Sequence, residues 1–185
     1  MREIALAVLF GAALVTSHAA MAQTPAPAAP AIPDTMPFDI PYGAALSLDD
    51  AQKALMAAVA EAKKRNWKMA IAVVDPAGNL VTHATMDGTQ YGSIAFSQAK
   101  ARTAAQFRRP SKAFADIINS GGANGAPAPA ALSVMMGMQG AASEGGFPIV
   151  KDGKLVGAIG ASGGTAPQDG VIAKAGLAAI GITMP

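Results

Sequence analysis

Between Asp87 and Asp116 the sequence holds no acidic residue, yet it places Lys100, Arg102, Arg108, Arg109 and Lys112 there. Such cations grip carboxylate or phosphate groups, and arginine does so through a planar fork that matches both oxygens of one acid group. In a chain whose formal net charge is only +2, the run reads as a local anion site, with Arg102, Arg108 and Arg109 as candidate ligand-binding residues. A solvated helix face accounts for the same pattern. At helical spacing Phe96, Ala99, Thr103 and Phe107 form one stripe, and Gln98, Arg102, Gln106 and Arg109 form another. If the first stripe faces a pocket, Thr103 and Phe107 belong to an apolar wall beside cations, suited to a flat apolar ligand with acidic edges. If it faces the core, the Thr103 hydroxyl bonds back to the carbonyl of Ala99.

Four other features carry chemistry. Glu144 precedes Gly145 and Gly146 and offers one carboxylate at a bend, but the remaining turn acids, Asp75, Asp87 and Asp169, are too scattered in sequence to argue a paired-carboxylate mechanism. Gly157 and Gly160 weaken a strand, so a backbone or a ligand is expected to approach closely there. Gly160, Ser162 and Gly163 then lead into a helix start whose amides can hold an anion, or form a tight turn at a packed contact. His83, on a strand, is the only histidine after residue 22 and so the one strong neutral nitrogen ligand for a metal. One imidazole cannot build a zinc site but suffices as a haem axial ligand, alone or with a methionine; an exposed strand histidine is the alternative. The methionines at 135, 136 and 138 read as soft apolar contacts.

The elements that position these residues are legible from spacing and turn chemistry. Ser47 followed by Asp50 caps a helix carrying Leu48, Ala51, Leu55, Val59 and Ala62 to about Arg65. Residues 69–75 and 80–86 form a hairpin around Pro76-Ala77-Gly78-Asn79. The basic helix follows and stops before Pro110, which opens another helix over about 111–118. A Gly and Ala rich stretch, 120–146, is read as a loop around a short helix from about Ala128 to Met136, either a cover over a site or an interface segment. Strands over 147–151 and 154–161 meet at Asp152-Gly153. Thr165 with Gln168 caps a last helix to about Ile180. This order predicts an α+β fold, an antiparallel sheet with helices packed on it.

Composition narrows the classes. Residues 1–22 read as a signal peptide, with Arg2 at the charged start, an apolar run from Ile4 to Val15 and Ala20-Met21-Ala22 as the cleavage site. The run is too short to span a bilayer, so a periplasmic or secreted protein is expected after cleavage near Ala22. Residues 23–45, with prolines at 25, 27, 30, 33, 37 and 41, form an extended arm, and the domain proper covers 46–185. Absence of cysteine removes disulfides and thiol chemistry. The few aromatic residues are not interleaved with the basic cluster, which argues against nucleic acid. No Gly-Lys-Ser/Thr loop or serine-hydrolase elbow is present, which disfavours nucleotide hydrolysis and acyl transfer.

An ordered set of motifs resembles the GlcG/HbpS-type domain: Leu48-Asp-Asp-Ala51, Ile71-Ala-Val-Val-Asp75 with Gly78, Met86-Asp-Gly88, Lys100-Ala-Arg-Thr-Ala-Ala105 with Phe107-Arg-Arg-Pro110, Glu144-Gly-Gly146 with Pro148-Ile149, Gly157-Ala-Ile-Gly160 through Asp169, and Ala173-Lys-Ala-Gly176. The likeness runs from about Leu46 to Ile180. It implies a profilin-like sandwich with a five-stranded antiparallel sheet flanked by helices. It also implies a homo-oligomer such as an octamer, haem binding with a role in haem or iron handling, and in some members a membrane sensor as partner. A threonine implicated in haem contact in the family carries over to Thr103. Where other members have a histidine near the first hairpin turn, this chain has Asn79. Two rival readings use the same residues. One is an enzyme or binding protein for a small carboxylic acid, with Glu144 or Asp169 moving a proton; the other is a scaffold whose basic patch meets an acidic partner.

Overall fold

The computed structural model describes residues 34–36, 38–120, 133 and 135–183. The expected signal peptide and most of the arm lie outside them, as does most of the short helix expected at 128–136; Ser133 and residues 135–137 are helical. Helix α1 (Leu48–Lys64) starts where Ser47 accepts from the Asp50 N–H at 3.1 Å, and its basic last turn complements the helix dipole. Strands β1 (Ala70–Val74) and β2 (Leu80–Thr85) form the first hairpin, whose turn is tied by Asn79 Nδ2 donating to Asp75 Oδ2 at 2.9 Å. Helix α2 (Gly92–Phe107) ends at Arg108, which adopts the left-handed conformation with φ 55°. Helix α3 (Lys112–Asn119), strands β3 (Gly146–Lys151) and β4 (Lys154–Ser162) and helix α4 (Ala166–Ala179) complete the order. At the start of α4 the Thr165 N–H donates to Gln168 Oε1 at 2.8 Å, closing the expected capping box.

All strand pairs are antiparallel, in the order β2-β1-β4-β3. The sheet therefore has four strands, which corrects the five implied by the family resemblance. The end of the arm runs parallel beside β4, where β1 has stopped. It makes only a bridge from Tyr42 to Leu155, with the Leu155 N–H bonded to Pro41 O and the Gly43 N–H to Leu155 O, each at 2.8 Å. Pro41 has no N–H to extend a ladder, so this segment is a clasp and not a strand.

The main core lies between one face of the sheet and helices α1 and α4, with Ile71, Val73, Ile149, Ile159, Ile172 and Leu177 fully buried. Each such side chain contributes about 1.5–3 kcal/mol relative to exposure. The other face is built of small residues, Ala72, Val74 and Ala158, packed on Ala101, Ala104 and Ala105 of α2. Smallness there lets backbones touch: a Cβ on Gly160 would collide with the Ser97 carbonyl and lie 2.6 Å from the Ala101 nitrogen. The sheet-facing side of α2 is consequently Ser93, Ser97, Lys100, Ala101 and Ala104, while Phe96 is 41% exposed. The stripe read from Phe96 to Phe107 thus begins exposed at Phe96, is buried at Thr103 and is partly buried again at Phe107, because the backbone contact at Gly160 leaves no room for an aromatic ring beneath this helix.

Candidate functional site

The five cations part company in three dimensions. Lys100 is 1% exposed and its Nζ lies 2.6 Å from Asp169 Oδ2, a carboxylate also buried and accepting from the Gly164 N–H at 3.0 Å. Burial pulls the Lys100 ammonium below its ordinary range, against the pull of Asp169 and Glu144, and pushes the Asp169 carboxyl up despite Lys100 and the Gly164 amide. Gly145 and Gly146 are glycines because this pair passes under them. A Cβ on Gly145 would sit 3.1 Å from Lys100 Nζ, and one on Gly146 would strike the Lys100 carbonyl. Glu144 is partly exposed, and its carboxylate occupies the space over Gly170. Three separate motifs, Lys100, Glu144-Gly-Gly146 and Asp169, therefore meet at one point, a convergence that reading along the chain did not reveal.

At the carboxyl end of α2, Lys112 bonds Asp116 at 2.6 Å. Arg108 donates to the carbonyl of Ile40 at 3.0 Å and stands 4.0 Å from Asp39. Arg109 lies over the rings of Phe38 and Phe114, each 4.3 Å away, and Phe107 meets Phe114 edge-on at 4.8 Å. The arm thus lies against the arginines that sequence reading left uncompensated.

Arg102, like Arg109, is in no ion pair of the described residues, but of the five cations it is the one that borders a cleft of about 480 Å³ along the outer side of α2. Ala95, Phe96 and Ala99 give the cleft an apolar wall, Gln98 and Gln139 add amides, and Gly140 closes the rim. The volume is in the range of small-molecule sites, and a mainly apolar surface with a few polar groups is their usual chemistry. Thr103 is 1% exposed; its Oγ1 accepts from the Ala141 N–H at 2.9 Å, so it anchors the Gln139–Gly140 rim from beneath. Sequence reading placed Gln139 and Gly140 only within a general cover; Gly140 was the signal, since a Cβ there would lie 2.6 Å from Met135 Cε and 3.1 Å from Thr103 Oγ1.

The remaining candidates lie elsewhere. Gly160 packs on α2 and Ser162 Oγ is 3.3 Å from Ser93 Oγ, so both serve the α2–sheet contact, while Gly163 abuts the backbone of Lys68 and Met69 just before β1. His83 is half-buried on β2, with Nε2 3.4 Å from Ser97 Oγ, and burial lowers its pKa. It does not border the cleft, and no cluster of three or more His, Cys, Asp or Glu fit to hold a metal occurs among the described residues.

Comparison with known proteins adds a family. The model described as haem degrading protein HbpS-like matches residues 46–178. The chain belongs to the HbpS-like family. Among curated HbpS-like relatives, protein GlcG of Escherichia coli K12 is 38% identical over 117 residues, 63% of this chain and 81% of GlcG. Of solved structures, a complex of PduOC with haem matches with a TM-score of 0.67 at 28% identity, over 74% of this chain and 96% of that one. A double mutant of HbpS from Streptomyces reticuli matches with a TM-score of 0.66 at 27% identity, over 83% and 99%.

Proposed function

We propose that this HbpS-like chain is an exported haem-binding protein and that haem docks in the α2 cleft. The observation that carries this reading is the combination in one cleft of an apolar wall and an arginine without an acid partner. Ala95, Phe96 and Ala99 would face the porphyrin, and Arg102 would take a propionate through charge-assisted hydrogen bonds. The lining fits the porphyrin ring and a propionate and, among the described residues, offers no imidazole, thiolate or thioether to the iron; bound haem would supply a redox-active iron for haem or iron handling. The solved haem complex of PduOC, of the same fold at 28% identity, supports the reading. So does the description of the family.

In this proposal the chain acts in the periplasm or outside the cell after cleavage near Ala22. It works as a homo-oligomer, an octamer or similar assembly, with a membrane sensor as a candidate partner. Titrating haem into the purified mature protein tests the core of it. The expected result is a Soret shift that saturates near one haem per subunit or per interface. No shift, or no saturation, overturns it.

A further inference from the structure

Among the described residues, every side chain on the border of the α2 cleft is an alkyl group, a phenyl ring, a carboxamide or the Arg102 guanidinium. A guanidinium carries donors and no acceptor, and a neutral amide oxygen is a poor ligand for iron. The side chains that hold haem iron are imidazole, thiolate, thioether and phenolate, and none of these lies on that border. Candidates around α2 are engaged elsewhere or stand outside the cleft. His83 Nε2 lies 3.4 Å from Ser97 Oγ, on the sheet-facing side of α2, whereas the cleft follows the outer side. Tyr42 donates its hydroxyl to Gln106 O at 2.9 Å. Thr103 Oγ1 is buried and accepts from the Ala141 N–H, and Met135 is buried beneath Gly140. The chain has no cysteine, and residues 121–132 hold only glycine, alanine, asparagine, proline and leucine. Tyr91, Met136 and Met138 are exposed and do not border the cleft.

We infer that the α2 cleft recognises the tetrapyrrole and not its metal, so that its ligand class is planar porphyrins bearing propionates, with iron or without. This inference rests on the haem reading above and narrows it. The apolar wall of Ala95, Phe96 and Ala99 acts through the ring area it covers, and Arg102 acts through charge-assisted hydrogen bonds to a carboxylate. A metal-free porphyrin offers the same ring face and the same carboxylates as haem. With no axial ligand supplied by the chain, nothing in the cleft favours one over the other.

The experiment is a pair of titrations of the purified protein, with haem followed by its Soret band and with metal-free protoporphyrin IX followed by its fluorescence. The two dissociation constants are expected to agree within about threefold, and each ligand should displace the other. Arg102→Gln should weaken both alike, by about 10–100-fold. Haem binding with protoporphyrin weaker by about tenfold or more overturns the inference and leaves the haem reading standing. Loss of haem binding in wild type overturns that reading and the inference with it. His83→Gln, Tyr91→Phe and the double variant Met136→Leu with Met138→Leu should each keep the Soret maximum and haem affinity of wild type. Because every subunit carries the change, these variants also cover a ligand that reaches the cleft from a second copy. A shifted band or a haem affinity lower by about tenfold in any of them, with protoporphyrin binding unchanged, identifies an iron ligand and overturns the inference.

Discussion

Lys100 Nζ and Asp169 Oδ2 lie 2.6 Å apart in the interior, joining the middle of α2 to the first turn of α4. Taking two charges out of water is costly, and their attraction offsets that cost only while both are present. Lys100→Met should therefore destabilise by about 3–5 kcal/mol, whereas Lys100→Met with Asp169→Leu should be near neutral or stabilising. Urea unfolding of both single variants and of the double variant measures this, and a double loss equal to the sum of the two single losses would show that the pair is not coupled.

Thr103 and the cleft rim make a second prediction. Thr103→Val leaves the Ala141 N–H buried without an acceptor, so stability should fall by about 1–3 kcal/mol. Haem affinity should fall with it, since the Gln139–Gly140 rim loses its anchor, while Thr103→Ser retains both. Parallel thermal melts and Soret titrations read the two effects.

Arg102→Gln should weaken haem by about 10–100-fold without loss of stability, the scale of a hydrogen bond to a charged group. A variant that binds haem like wild type would remove Arg102 from the site.

Close packing of α2 on β4 sets a contrast between two glycines. Gly160→Ala forces a Cβ into the Ser97 carbonyl, and neither backbone can retreat, so a loss of about 1–3 kcal/mol or more is expected. Gly92→Ala, at the start of α2, meets nothing within 4 Å and should stabilise by about 0.4–1 kcal/mol through helix propensity and a less flexible unfolded chain. Denaturation midpoints decide both.

His83 predicts a pH dependence. Burial lowers its folded pKa, so between that value and the usual imidazole value of about 6.5 the unfolded chain binds more protons than the folded one. The contribution is favourable above that window and is lost as pH falls through it. Wild type should lose more stability than His83→Gln across the window, and parallel pH profiles would refute the argument.

Much of the fold is local and was readable. Ser47 caps α1 because its Oγ reaches the amide of Asp50, Gln168 closes the start of α4 by reaching back to the amide of Thr165, and Asp152-Gly153 turns a hairpin because φ is positive at both positions. The glycines at 157 and 160 signalled close approach, and Gly157 indeed lies where a Cβ would be 2.5 Å from the Val74 carbonyl. The site was harder to read. A charge run shows which residues are cations, but whether each is free depends on acids and carbonyls brought from elsewhere.

The amino-acid sequence alone determined the element order, the helix caps, the hairpins and the family likeness, because these rest on interactions between near neighbours and on recurring local motifs. Tertiary structure alone decided that Lys100 is consumed by Asp169, 69 residues away, that Arg108 is met by the arm, and that Arg102 is left on a cleft. It also decided the strand count and the buried face of α2. The physical reason is that pairing and burial depend on distance in space, and the small residues of the sheet brought α2 too close for its aromatic side chains to turn inward.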